Sequence, residues 1–297
     1  MKFLITGANG FLGKSILCDS RFNDNFTISR NQLKFCDLNK SIGNLSEDDI
    51  DLINEFQPEV VINTAWSGIN NYSLHQTLEN ITNHLKFIDK TCSIKSIKKF
   101  INFGSAWECD RLNGVAYEAD YFQSNSDFLL AKKIIYEYSN LRYGDKHLWL
   151  RMFYVFGVNQ MKGLVRYVAK NIVRNLPIEL KNPNSVLDYI SISDVTNYIY
   201  NFSTKDIPNG IFNLGSGKGI KNNELLKIIL AVAYDLGLCY NNNIIINNNK
   251  FEDYFWASME KTNNYIKNIH LNYNFTNDIK DILLYEKQEY CNFKNST

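Results

Sequence analysis

No apolar run in this chain approaches the roughly 18 residues that a membrane-crossing helix needs. The opening MKFLITG passes straight into a strand-like segment, so no cleavable leader is expected. Its cysteines are scattered and form no CxxC pair. Neither a structural zinc nor a disulfide framework is therefore indicated, and reduced thiols in a cytoplasm fit best. Charge of one sign is not in excess either. The 32 basic and 31 acidic residues leave a net charge of +1, which does not suggest a nucleic-acid binder. Metal-ligand spacing, internal repeats and acidic clusters are also missing. What remains is an ordinary globular composition, 45% hydrophobic and 21% charged, long enough for one large or two joined domains around a sizeable core.

The first informative stretch is KFLITGANGFLGKSIL. A short apolar run, the profile of a buried parallel strand, leads into Gly7, Gly10 and Gly13, and a helical pattern follows. The spacing gives each glycine a distinct role. Gly7 permits the tight turn, Gly10 the close approach of backbone to a pyrophosphate, and Gly13 the packing of helix on strand. Asn9, Phe11 and Leu12 complete the expected phosphate loop, with the positive end of the helix facing the phosphates. The next strand, FTIS, ends not on the acid that usually bonds an adenosine ribose but on Ser29 and Arg30. An arginine fork suits a 2′-phosphate, so NADP(H) is favoured, with NAD(H) the alternative. Asp37 and Leu38 stand where an adenine could be held.

Further along, PEVVINTA (58–65), KFINF (99–103) and HLWLRMFYV (147–155) read as strands, with helices over 80–92 and around residues 126–138 between them. Alternating strand and helix predict an α/β fold with a doubly wound parallel sheet. The expected division is a dinucleotide-binding domain over 1–156, with a returning segment near 186–214. A smaller substrate lobe would be built from 157–185 and 215–297.

Seven segments in order, GANGFLG, INTA, FGSA, FLLAK, LRMFYVFG, LDYISISDV and GIFNLGSG, resemble the motifs of the extended short-chain dehydrogenase/reductases that act on nucleotide-linked sugars. Within that family the pieces PEVVINTA, FINFGS and DYISISDV are most similar to the CDP-paratose synthase-like sugar ketoreductases. The resemblance implies a site of serine, tyrosine and lysine at Ser105, position 128 and Lys132. It implies cofactor contacts from Ala65, Asn80, Lys132 and Tyr154, and substrate contacts from Trp66, Ser67, Trp107 and Tyr154. It also implies a nucleotide-linked sugar partner, a homodimer, and a setting in surface-polysaccharide sugar biosynthesis. The base could be CDP, UDP, GDP or dTDP.

Position 128 departs from the family: phenylalanine stands where the tyrosine belongs, the smallest change that removes the hydroxyl and keeps the ring. Phe128 cannot supply a proton, so Tyr154, Tyr121 or water remain as donors. The 4,6-dehydratases carry Asp-Glu after the serine or threonine; Ala106 and Trp107 are here, with Glu108 one place late. Reduction of a sugar carbonyl is therefore the expected reaction, with 4-epimerisation by bound NAD as the alternative. From another class comes a catalytically silent NADP(H) sensor. Finally, Arg166, Lys170 and Arg174 fall on one helical face that could meet the substrate pyrophosphate or could simply be solvated.

Overall fold

The computed structural model of the chain describes residues 1–30, 36–68, 73–109, 114–120, 125–247, 253–267, 271 and 275–296. In chain order the first part comprises β1 (Phe3–Thr6), α1 (Phe11–Leu17), β2 (Asn25–Ile28), α2 (Glu47–Phe56), β3 (Val60–Asn63), α3 (Leu74–Thr91) and β4 (Lys99–Ser105). Then come β5 (Gly114–Ala116), α4 (Asp127–Tyr143), β6 (His147–Met152) and β7 (Tyr154–Phe156). Local chemistry sets the helix ends. Ser46 and Asp49 form a reciprocal capping box at α2, which stops at Gln57 in the left-handed region just before Pro58. The Ser126 hydroxyl accepts from Leu129 N–H to start α4, which ends at Gly144 with φ +54°.

The remainder comprises α5 (Leu164–Arg174), β8 (Ile178–Leu180), β9 (Val186–Ser191), α6 (Ile192–Thr204), β10 (Gly210–Leu214) and β11 (Gly219–Lys221). It closes with α7 (Asn222–Asp235), β12 (Ile244–Ile246), β13 (Tyr254–Ala257), α8 (Glu260–Tyr265) and α9 (Thr276–Ser296). The main sheet is six-stranded and parallel, in the order β10-β6-β4-β3-β1-β2. The strand order reverses direction between β1 and β3, the place where ligands settle at the carboxyl ends of strands in such sheets.

Alternation along the strands fills both faces. Phe3, Ile5, Ile62 and Ile101 enter one core with α1 and α6 residues such as Ile16, Val195 and Ile199. Leu4, Val61, Phe100 and Trp149 enter the other with Phe87, Ile88 and Ile135 of α3 and α4. Phe100 and Tyr143 stack there with centroids 4.0 Å apart.

The expected returning segment divides. β10 joins the main sheet, but β9 belongs to a second one, in the order β11-β9-β13-β5, with β7 also paired to β9. The segment 147–155 is likewise not one strand: Phe153 N–H donates to Leu214 O, and the chain then turns from β10 to β9. No described helix is long and apolar enough to cross a membrane.

Candidate active site

The phosphate loop carries its constraints in backbone geometry. Gly7 has φ +66°, and a Cβ there would lie 2.7 Å from Ala65 N. At Gly13 a Cβ would come within 2.4 Å of Gly7 O, so this glycine lets α1 lie on the loop. Gly10 has ordinary extended backbone and caps α1 with no side-chain hydrogen bond. A Cβ there meets only Gly7 O, at 3.1 Å. Leu12 is buried in the core, so it can offer a ligand its backbone alone. Gly7 and Gly13 thus fold the loop onto α1, and Gly10 leaves its helix end uncovered, an arrangement that fits a dinucleotide pyrophosphate.

A contrast between two variants follows. Gly10→Val is expected to leave the thermal midpoint nearly unchanged while removing dinucleotide binding. Gly13→Val is expected to lose both, since overpacking typically costs about 1–3 kcal/mol. Thermal scans with cofactor titrations check this, and undiminished affinity in Gly10→Val would reduce the loop to a turn.

At the end of β2, Ser29 is buried and its N–H donates to Leu38 O, while Arg30 is exposed and donates from Nη1 to Ser67 Oγ at 2.6 Å. Ser67 thus ties the loop after β3 to Arg30. Asn80 is bound to the same serine. Its Oδ1 accepts from Ser67 N–H at 2.8 Å, and its Nδ2 donates to Ser67 O and Gln76 O. Buried and engaged at both ends, Asn80 fixes the loop after β3. The Asp37 carboxylate accepts from Thr27 N–H at 2.7 Å and from its hydroxyl, which orients the Asp37–Leu38 segment beside β2.

Lys132 and Phe128 meet beside Trp66, next to the strand that Ser105 ends. Ser105 closes β4, and its hydroxyl accepts from Trp107 N–H at 3.2 Å. Lys132 Nζ donates to Phe103 O at 2.8 Å and lies 4.0 Å from the centre of the Trp66 ring. The Phe128 and Trp149 rings stand 5.7 and 5.9 Å away, and Phe128 meets Trp66 edge-on. Trp66, expected against the sugar, thus covers the lysine. Burial pushes Lys132 down to about 8, opposed by the Glu108 charge. Even so, the amine is mainly an ammonium at neutral pH.

Beneath this group runs a buried polar ladder that the motifs did not announce. Thr6 Oγ1 donates to Asn63 Oδ1, and Asn63 Nδ2 reaches Asn102 Oδ1 at 2.8 Å and His84 Nδ1 at 3.1 Å. Burial takes His84 down to about 3, so it is neutral at ordinary pH.

Glu108 is a second residue whose role the sequence did not disclose. Fully buried, it accepts from Ser105 N–H at 2.7 Å, Trp149 Nε1–H at 2.9 Å and Arg151 Nε–H at 3.1 Å. Gly104 makes room for it, since a Cβ there would lie 2.5 Å from Glu108 Oε1.

On the substrate side, Trp107 is half exposed and donates from Nε1 to Tyr154 Oη at 3.4 Å. Tyr154 packs beside Tyr189 and Phe255. Leu187 is buried against β13, and the neighbouring Asp188 carboxylate binds Ser216, Gly217 and Ala257.

Two members of the cationic stripe on α5 have partners within the protein. Arg166 is paired with the buried Glu286 of α9 at 2.6 Å, and Arg174 lies over Tyr290 of the same helix. Lys170 shares their face. Tyr121 lies outside the described residues. No cluster of metal-ligating side chains occurs among the described residues.

A family model described as the NAD dependent epimerase/dehydratase family matches residues 3–215. No curated protein matches the sequence. Among solved structures, the chain superposes on a UDP-glucose 4-epimerase with UDP-glucose from Thermotoga maritima at a TM-score of 0.78 and 20% identity, covering 98% of this chain and 100% of that one. A UDP-N-acetylglucosamine 4-epimerase from Methanobrevibacter ruminantium, in complex with UDP-N-acetylmuramic acid, gives 0.78 and 18% over 97% and 98% of the two chains. WbmH from Bordetella bronchiseptica, in complex with NAD+, gives 0.78 and 15% over 96% and 97%. At these identities the likeness establishes the fold.

Proposed function

Because the chain belongs to the NAD dependent epimerase/dehydratase family, we propose that it reduces the carbonyl of a nucleotide-linked sugar with NADPH. The observation that carries this reading is Lys132 beside the Phe128 ring and bonded to Phe103 O of β4, the strand that Ser105 ends, with Glu108 held in the interior. A bound nicotinamide would supply the hydride; the chain must hold the sugar oxygen and deliver one proton to it. Ser105 holds that oxygen, and Lys132 holds the nicotinamide ribose. Gly7, Gly10 and Gly13 cradle the pyrophosphate. Loss of water needs a carboxylate at the sugar, and Glu108 is already held by three donors in the interior, which favours reduction over dehydration.

Arg30 supports NADPH over NADH. It is exposed at the end of β2, and Ser67 steers its guanidinium. Arg30→Ala is expected to weaken NADPH by about 1.5–3 kcal/mol, roughly tenfold to a hundredfold, and leave NADH unchanged. Titration of both cofactors tests this, and equal or tighter NADH binding by the unaltered protein contradicts it. The runner-up is 4-epimerisation with held NAD, favoured by the superposing structures, among them two 4-epimerases and an NAD+ complex.

The nucleotide sugar is read as the substrate from the same relatives, two of which hold UDP-linked sugars. Mass spectrometry of a nucleotide sugar retained by the purified protein tests this directly; retention of none, across UDP, CDP, GDP and dTDP forms, counts against it. A homodimer is supported by the outer faces of α3 and α4. Leu74, Leu78, Leu130 and Leu141 are exposed there beside a shallow groove of about 480 Å³.

A further inference from the structure

Reduction at this site lacks its usual proton donor, because Phe128 holds a ring and no hydroxyl where the donor would stand. The donor must come from elsewhere in the same crevice. Three observations converge on one phenol. First, position: Ser105 and Met152 are Cα partners at the ends of β4 and β6, and Tyr154, two residues on, opens β7 where the chain leaves that sheet to pair with β9. Second, bonding: Trp107 clips both groups, its backbone N–H donating to Ser105 Oγ at 3.2 Å and its indole N–H to Tyr154 Oη at 3.4 Å. In the second contact the tyrosine oxygen is the acceptor. Third, fixation: the Tyr154 ring packs against Tyr189 and Phe255, with centroids 5.7 and 6.2 Å away, so the hydroxyl is held in place by rigid neighbours.

We propose that Tyr154 is the catalytic acid of this chain, delivering the proton that position 128 cannot. The assignment rests on the reading of the site as a sugar carbonyl reductase. In the step, the carbonyl carbon gains a hydride from the reduced nicotinamide, which is oxidised. The carbonyl oxygen, bonded to Ser105, takes the proton from Tyr154 Oη as that O–H bond breaks, and the phenolate regains a proton from water. In the reverse direction the phenolate accepts the alcohol proton. Trp107 is the positioning residue, joining the serine that holds the oxygen to the phenol that protonates it.

The test uses full-length protein carrying Tyr154→Phe, Phe128→Tyr or both. It measures steady-state NADPH oxidation with a panel of keto-sugar nucleotides, calorimetric nucleotide-sugar affinity of the cofactor-free protein, and the pH profile of kcat. Tyr154→Phe keeps the packed ring, so a thermal scan should match the unaltered protein. Its kcat is expected to fall by about 10²–10⁴-fold, the usual contribution of a positioned proton donor, while nucleotide-sugar affinity stays within about threefold. The pH dependence set by the phenol should vanish with it. Adding Phe128→Tyr to Tyr154→Phe should restore turnover, because it returns a phenol beside Lys132.

A kcat within about threefold of the unaltered protein in Tyr154→Phe overturns the assignment. So does an affinity that falls as far as kcat, which would make Tyr154 a binding contact. If the unaltered protein is inactive but Phe128→Tyr alone turns over, Tyr154 is excluded while the reductase reading stands. If no variant turns over any sugar of the panel, both fall together.

Discussion

Glu108→Ala is expected to lose about 3–5 kcal/mol of folding stability, the usual consequence of removing one partner from a buried ion pair. The reason is geometric. The carboxylate is the acceptor for Arg151 Nε, Trp149 Nε1 and Ser105 N–H, all in the interior, and neither Glu108 nor Arg151 reaches solvent. Alanine removes the carboxylate paired with the Arg151 guanidinium and the oxygens that accept from Trp149 and Ser105. Gly104 shows how closely the group is fitted, since any side chain there would run into Glu108 and Trp149. The loss should also release Ser105, because Glu108 fixes the strand end on which that serine sits. Burial raises the Glu108 pKa and Arg151 opposes the shift. Urea unfolding of Glu108→Ala and Glu108→Gln checks the expectation. The glutamine form keeps the volume and some acceptor capacity, so it should fall between. An alanine variant within about 1 kcal/mol of the unaltered protein would mean the cluster contributes little beyond packing.

Lys132→Met should separate stability from function. The ammonium is buried under Trp66 with one backbone carbonyl as its hydrogen-bond partner, and burial already pulls its pKa down to about 8. Holding a charge in that environment is unfavourable, and a methionine of similar length would fill the same space without it. The thermal midpoint of Lys132→Met is therefore expected to match or exceed that of the unaltered protein. Cofactor affinity should drop at least about tenfold, and kcat should fall about 10²-fold or more, since the residue that holds the ribose is gone. The same comparison should show in Trp66 fluorescence, which loses a cation 4.0 Å from its ring. A variant that binds and turns over normally would remove Lys132 from the site; one that unfolds would make it a structural lysine.

The sequence revealed the sheet more readily than its edges. VVIN, KFINF and HLWL are strand-like because their apolar residues serve two buried faces, and glycine spacing with its flanking strand and helix revealed the phosphate loop. The run LDYISIS was equally apolar, but a run buried on both faces does not say which sheet it enters, and β9 went to the second one.

The partners of the α5 stripe were hidden for a related reason. Spacing places Arg166 and Arg174 on one face, but what covers that face is α9, far along the chain, with Glu286 and Tyr290 supplying the partners. Asn80 and Ser67 were assigned to ligands by motif position, whereas the backbone of the β3 loop takes up the Asn80 side chain. Glu108, by contrast, carried a readable signal. Arg151 sits inside the apolar strand HLWLRM, and a buried arginine demands a buried acid. Glu108 was the acid, and its place just after Ser105 concealed a role that lies in the interior.

The most direct test of the reductase reading is NADPH consumption by the unaltered protein with keto-sugar nucleotides, followed together with the sugar product. The expected result is one NADPH oxidised for each sugar carbonyl reduced, with little or no turnover on NADH. A protein that holds NAD through purification, interconverts C4 epimers of a nucleotide sugar and leaves NADPH untouched would contradict it.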